Sequence, residues 1–160
     1  MISLDFLEKV EVFKGLDDEQ LTAVQACCQE KGFKQGDKLF NEGEDAAHLY
    51  AVIEGQVDLK FDSSEGSDVD KSILSSVTEA KAFGWSSLVP PYKLTLSCYC
   101  ASRNCKVAEV DSKQLIGLFE KDNVLGYRVM SNLSELVGRR FNNLQNEIAK
   151  RRGEEMMSNW

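Results

Sequence analysis

Apolar residues recur three and four apart near both ends of the chain and alternate with polar ones in its middle. In "GLDDEQLTAVQACCQE", Gly15 to Glu30, Leu21, Val24 and Cys28 keep helical spacing. Asp17 stands as an N-cap with Gln20 three residues on, and acids crowd the first turn, where the helix dipole favours them. One short helix is predicted there.

After Gly32 the period changes. Glycines at Gly36, Gly43 and Gly55 break the chain, and Val57, Leu59 and Phe61 alternate with Asp58 and Lys60, as in a strand with one wet face. "YAVIEGQVDLKF" reads as a β-hairpin turning at Glu54-Gly55. The polar, acidic "DSSEGSDVDKS" lacks the spacing and the closing acid of a calcium loop, so it reads as a solvated hairpin loop. "SILSSVTEAKAFG" gives a further strand approaching a glycine turn, and "KLTLSCYCA" and "CKVAEVD" give two more. Many short strands at regular intervals are the pattern of a sandwich or jelly roll.

From Ser112 the period is helical again. "SKQLIGLFEKD" predicts a short helix and "NVLGYRVMSNLSELVGRRFNNLQNEIAKRR" a long one, on which Met130, Leu133, Val137, Phe141, Leu144 and Ile148 form a narrow apolar seam. Such a helix either packs back on its own barrel or pairs with a second copy. About 26 residues at 1.5 Å rise extend roughly 40 Å, beyond the edge of a small domain, so homodimerisation through this helix is the expectation. The chain divides accordingly into a β-roll with its N-terminal helix over 1–122, a dimerisation helix over 123–152 and a tail over 153–160 in which no pattern is evident.

Composition narrows the chemistry. At 160 residues with 42% hydrophobic content, the chain can build one compact domain around a real core. A net charge of -7, from 19 Lys and Arg against 26 Asp and Glu, argues against a surface that neutralises nucleic-acid phosphates. Apolar runs such as Leu49 to Ile53 are far shorter than a membrane span, and "MISLDFLEKVEVF" has acids where a signal peptide is basic, so no membrane partner and a cytoplasmic location are expected. Cys27, Cys28, Cys98, Cys100 and Cys105 include no CxxC pair and read as small buried hydrophobes, although Cys98 and Cys100 would share a strand face. His48 is the single histidine, expected to cap or pack at the start of "HLYAVI". No histidine-based nucleophile pair or jelly-roll metal set can be assembled around it, so neither an enzyme nor a metal site is expected.

The order of a short helix, a β-roll with glycines at its corners, "IEGQVDLKF", "AFG", "CKVAEVD" and a long helix carrying "GRRF" resembles the cyclic nucleotide-binding domain, as in the catabolite activator and FNR group of bacterial regulators. The resemblance covers about Val12 to Ile148 and implies a double-stranded β-helix, mainly β with flanking helices, plus a long C-terminal helix. In that family a cassette of glycine, glutamate, small residues and arginine holds the ligand's ribose and phosphate. Matched residue by residue, Phe83 and Gly84 keep the glycine turn and Trp85 stands at the glutamate position. Ser86, Ser87 and Leu88 form the amide-donating turn, and Thr95, with Leu96 beside it, stands at the arginine position. The cassette thus keeps its shape and loses its charges. A threonine cannot supply the two charge-assisted hydrogen bonds of an arginine fork, a loss on the order of a hundredfold or more in affinity.

Lys93, two residues before Thr95, would offer a cation on the same face of a regular strand. Trp85 could stack on a ring ligand or fill the pocket, and filling is the expected role. On the long helix Asn142, Asn143 and Gln145 fall where the family's helix approaches the base, or are simply exposed amides. The resemblance implies a regulatory, non-catalytic module that senses a cyclic nucleotide or related anionic ligand and signals through its C-terminal helix, with a possible effector protein as partner. The alternative is a ligand-blind dimerisation or protein-interaction domain. Family regulators continue into a helix-turn-helix, for which a chain ending at Trp160 leaves no room, so direct DNA binding is not expected.

Overall fold

The computed structural model describes residues 1–62 and 73–158. Helices α1 (Leu4–Lys9) and α2 (Asp18–Gln25), joined through a 3-10 turn at Glu11–Phe13, precede eight strands. These are β1 (Cys28–Lys34), β2 (Lys38–Phe40), β3 (His48–Glu54), β4 (Val57–Lys60), β5 (Ile73–Val77), β6 (Ala82–Phe83), β7 (Ser97–Cys100) and β8 (Asn104–Asp111). Helices α3 (Ser112–Lys121) and α4 (Asn123–Ser158) follow. The strands form two four-stranded antiparallel sheets, in the order β1-β8-β3-β6 and β2-β7-β4-β5. This is the jelly roll that the strand rhythm and the resemblance imply.

The helix starts as its sequence dictates. Asp17 accepts from the Gln20 amide at 2.8 Å and Gln20 returns a side-chain acceptor to the Asp17 amide at 3.0 Å, a closed capping box. Its end differs from the expectation, because α2 stops at Gln25 and Cys28 opens β1 instead of continuing the helical face.

Glu54-Gly55 is a corner, not a hairpin. β3 pairs with β8 and β6 in the first sheet, whereas β4 pairs with β5 and β7 in the second. Gly55 has φ +87°, and a Cβ there would lie 2.5 Å from the Asn104 carbonyl oxygen. Only glycine lets the chain cross between sheets so close to the β7–β8 connection. The stretch "SILSSVTEAKAFG" is likewise divided, with β5 in the second sheet and β6 in the first. Most of the acidic loop, 63–72, lies outside the described residues, but Asp62 at its start accepts from Ser97 Oγ at 2.5 Å, Tyr99 Oη at 2.7 Å and Lys38 Nζ at 3.0 Å. Those hydrogen bonds, Ser97 first, hold its pKa down at about 2.

Two cores result from strand alternation. Tyr50, Val52, Cys105 and Val107 face the interior of the roll with Phe40, Val57, Leu59, Phe83 and Cys98. Leu49, Ala51, Ala108 and Val110 face the other way, against α1, α2, α3 and the first half of α4. β3 is therefore covered on both faces, which explains its unbroken apolar run "LYAVI". Cys27, Cys98, Cys100 and Cys105 are buried and all five thiols are free. Burial pushes the Cys28 thiol up to about 12, so these groups behave as hydrophobes.

Asp122 ends α3 and caps α4 by accepting from the Leu125 amide at 3.1 Å. Helix α4 then runs through Ser158, past residue 152 and into the tail. Its seam is divided. Leu133 is 2% exposed and packs with Leu125, Val129 and Leu136 in the domain's own core, with Met130 and Val137 alongside. Phe141, Leu144 and Ile148 are 59%, 38% and 54% exposed. The first half of the seam thus packs back on its own domain, in place of the continuous dimer face expected. Asn132 Nδ2 reinforces this half by donating to the carbonyls of Val12 at 3.1 Å and Lys14 at 2.9 Å. Among the described residues no helix is long and apolar enough to cross a membrane.

Leu133→Ala should therefore cost about 2–5 kcal/mol in urea unfolding, as core truncations do. Phe141→Ala should change the stability of the isolated domain by less than about 1 kcal/mol. Equal losses would contradict this division of the helix.

Candidate functional site

The cassette is built by a glycine. After β6, Gly84 adopts φ +74° and starts a 3-10 turn over Trp85–Leu88. A Cβ at Gly84 would meet Tyr50 Cδ2 at 2.9 Å and the His48 carbonyl at 3.2 Å. Beneath it the rings of Tyr50 and Phe83 stack at 5.1 Å between centroids, with Phe40 5.4 Å from Tyr50, and this floor fixes the height of the turn. The amide of Ser87 donates to the Gly84 carbonyl at 3.2 Å and that of Val89 to Ser86 at 3.3 Å, so both are committed to the turn. Ser87 Oγ, 2% exposed by residue, is the buried side-chain oxygen without a partner among the described residues.

Two adjoining spaces open beside this turn. The inner one, about 40 Å³, is lined by Phe40, Leu59, Gly84, Trp85, Ser86, Leu94, Thr95, Leu96 and Arg140. The outer groove, about 500 Å³, lies between the roll and α4 and is walled by Trp85, Thr95 and Leu96 on one side and Val137, Arg140, Phe141, Asn143, Leu144 and Glu147 on the other. Leu59, Trp85, Thr95, Leu96 and Arg140 border both. The inner space holds little more than one or two waters, whereas the groove falls within the range of small-molecule pockets. Trp85 is half-buried, packs against the helical core and lines both spaces.

The sequence-predicted residues divide. Gly84, Trp85, Ser86, Thr95 and Leu96 line the spaces, whereas Phe83 is buried in the floor and neither Ser87 nor Leu88 borders either space. Lys93 is not on a regular strand with Thr95, since β7 begins only at Ser97. It bridges to Asp45 and its ammonium pairs with that exposed carboxylate, so it does not reach the groove. Asn142 and Gln145 are exposed and line neither space, while Asn143 does. His48 begins β3, and its ring faces the buried Glu109 at 3.3 Å and borders neither space.

Arg140 is the residue that sequence reasoning missed. Its Nη2 donates to the Ala82 carbonyl at 2.7 Å and lies 4.0 Å from Glu11 Oε1. Burial lowers its pKa, against the opposing pull of Glu11, but an arginine remains charged. The signal was present: Val137, Arg140, Phe141, Leu144 and Glu147 recur three and four apart, so one helix face carries them all.

A family model for the cyclic nucleotide-binding domain matches residues 30–122, from β1 through the cassette to the end of α3. The chain belongs to that family. A solved structure from Geobacter metallireducens, described as a cyclic nucleotide-binding protein, is 30% identical, with a TM-score of 0.76 over 88% of this chain and 99% of the other. A cyclic nucleotide-binding domain from Methylobacillus flagellatus is 21% identical with the same TM-score, over 92% and 82%. Human cGMP-dependent protein kinase 2 is 23% identical over 98% of this chain, which spans 19% of that protein's length. Trp85 and Thr95, at the positions where the resemblance implies a glutamate and an arginine, both line the inner space of this cyclic nucleotide-binding domain.

Trp85→Ala should merge the inner space with the groove and lower stability by about 1–3 kcal/mol, measured by chemical unfolding. A loss near zero would mean that the indole packs against nothing of consequence.

Proposed function

We propose that this domain is a regulatory, non-catalytic ligand-binding module that takes a cyclic nucleotide or related anionic small molecule in the groove beside Trp85 and reports its occupancy through α4. The observation that carries this reading is the groove itself, of about 500 Å³, whose opposite walls come from the cassette side and from the long helix. A ligand there touches both and shifts the helix to the extent that it binds one helix position better than another. The indole of Trp85 supplies a face for a ring, and Asn143 an amide within reach of a base edge. Phe141, Leu144 and Ile148, exposed beyond the core, fit a helix-to-helix homodimer, and an effector protein would receive the signal.

A second reading has its own support. The inner space of about 40 Å³ is too small for a phosphate and sugar, and Thr95 brings no charge to it. On that ground the fold could serve as a ligand-blind dimerisation or protein-interaction domain.

Titration of the domain with cyclic AMP, cyclic GMP and cyclic dinucleotides, followed by tryptophan fluorescence and Tm with Trp85→Phe as control, separates the two. The ligand-binding reading expects a saturable signal that Trp85→Phe abolishes and a Tm that climbs with ligand concentration, as linkage requires. A flat response at millimolar nucleotide favours the ligand-blind reading. Sedimentation of the same samples reads the dimer, which a monomer at every concentration contradicts.

A further inference from the structure

Among the described residues lining the groove Arg140 is the basic one, and it comes from the helix. The acid in that lining, Glu147, is engaged by Arg151 at 3.0 Å. Arg140 is held by little. A guanidinium has five N–H donors, and the hydrogen bond from Nη2 to the Ala82 carbonyl is the one the structure gives it among the described residues. Its side chain is 29% exposed, partly desolvated and therefore in a setting where a charge-assisted bond is strong.

Glu11 does not depend on Arg140 either. One of its oxygens accepts from the Ala82 amide at 3.1 Å, and the other lies 3.4 Å from Arg139 Nη2 and 4.0 Å from Lys81 Nζ. If Arg140 turned away, that carboxylate would keep two cations and a backbone donor. The arginine can thus change partners without leaving a buried charge alone, a loss that would be severe in a tightly paired site.

We propose that Arg140 is the anion-recognition residue of the groove: it binds the ligand's phosphate or equivalent monoanion from α4, exchanging its place beside Glu11 and the Ala82 carbonyl for the ligand. This rests on the groove being the ligand site. It deepens that reading by naming the contact and the coupling, because Ala82 adjoins the cassette turn and both of its peptide groups are held, the amide by Glu11 and the carbonyl by Arg140. A ligand anion drawing on Arg140 changes the tie between cassette and helix directly.

The test is calorimetric titration of the full chain with cyclic AMP, cyclic GMP and their neutral nucleosides, in wild type, Arg140→Gln and Arg140→Lys. Wild type should prefer a cyclic nucleotide over its nucleoside on the order of tenfold or more, the range of a charge-assisted hydrogen bond. Arg140→Gln should erase that preference and leave nucleoside affinity unchanged, while Arg140→Lys retains part of it. A preference that survives Arg140→Gln overturns the assignment and leaves the groove standing as the site. Nucleoside and nucleotide affinities falling together would make Arg140 a packing residue and overturn the assignment as well. No binding by a folded wild type sinks both the site and the assignment. If Arg140→Gln does not fold, raising salt on wild type decides: cyclic-nucleotide affinity must weaken while nucleoside affinity holds, and equal responses refute the charge contact.

Discussion

The burial of Leu125, Val129, Leu133 and Leu136 in the core they share with α3 and the N-terminal helical segment is the contact on which the arrangement of this domain depends. A helix has one azimuth once four residues on one face are fixed, so everything C-terminal to Leu136 is aimed by them. Val137, Arg140, Phe141, Asn143, Leu144 and Glu147 are thereby turned toward the open side of the roll. Hydrogen bonds from Asn132 to the carbonyls of Val12 and Lys14 lock the same azimuth from the N-terminal segment. The groove exists because the helix is held short of its end and then leaves the core.

Where the helix leaves, its last tie is polar. Ala82 sits on the edge strand β6, which among the described residues pairs with β3 alone, and its amide and carbonyl are taken by Glu11 and Arg140. Side chains from the N-terminal turn and from α4 therefore finish a sheet edge that would otherwise be open. Two residues further on, Gly84 turns the chain into the cassette over the Tyr50 and Phe83 rings. N-terminal segment and long helix meet at one residue, Ala82, two positions before the cassette turn, so a change at any of the three is felt by the other two.

Much of this was readable from the chain. Asp17 and Gln20 announced their capping box, strand alternation announced the roll, and Gly84 marked the cassette turn. The pairing at Gly55 was not readable, because a glycine between two alternating runs looks the same whether the second run folds back beside the first or crosses to another sheet. The crossing is decided by how near the Asn104 carbonyl lies, a contact 49 residues away in sequence. The seam on α4 had a uniform period, and only the extent of the core that α4 shares with α3 and the N-terminal helical segment determines that Leu133 is inside and Phe141 outside. Lys93 failed as a cation because Asp45, distant in sequence, pairs with it. Arg140 was hidden by its neighbours: a charged residue on an apolar face reads as surface until the facing wall is known.

Native-state hydrogen exchange along α4, with and without saturating cyclic nucleotide, tests the central claim most directly, since it reports local opening segment by segment. The account predicts strong protection over 125–136 in both states, weak protection beyond 148, and a ligand-dependent change confined to 137–147 and to the cassette around 82–88. Protection that is uniform along the helix, or a ligand response that bypasses both the Arg140 turn and the cassette, would contradict it.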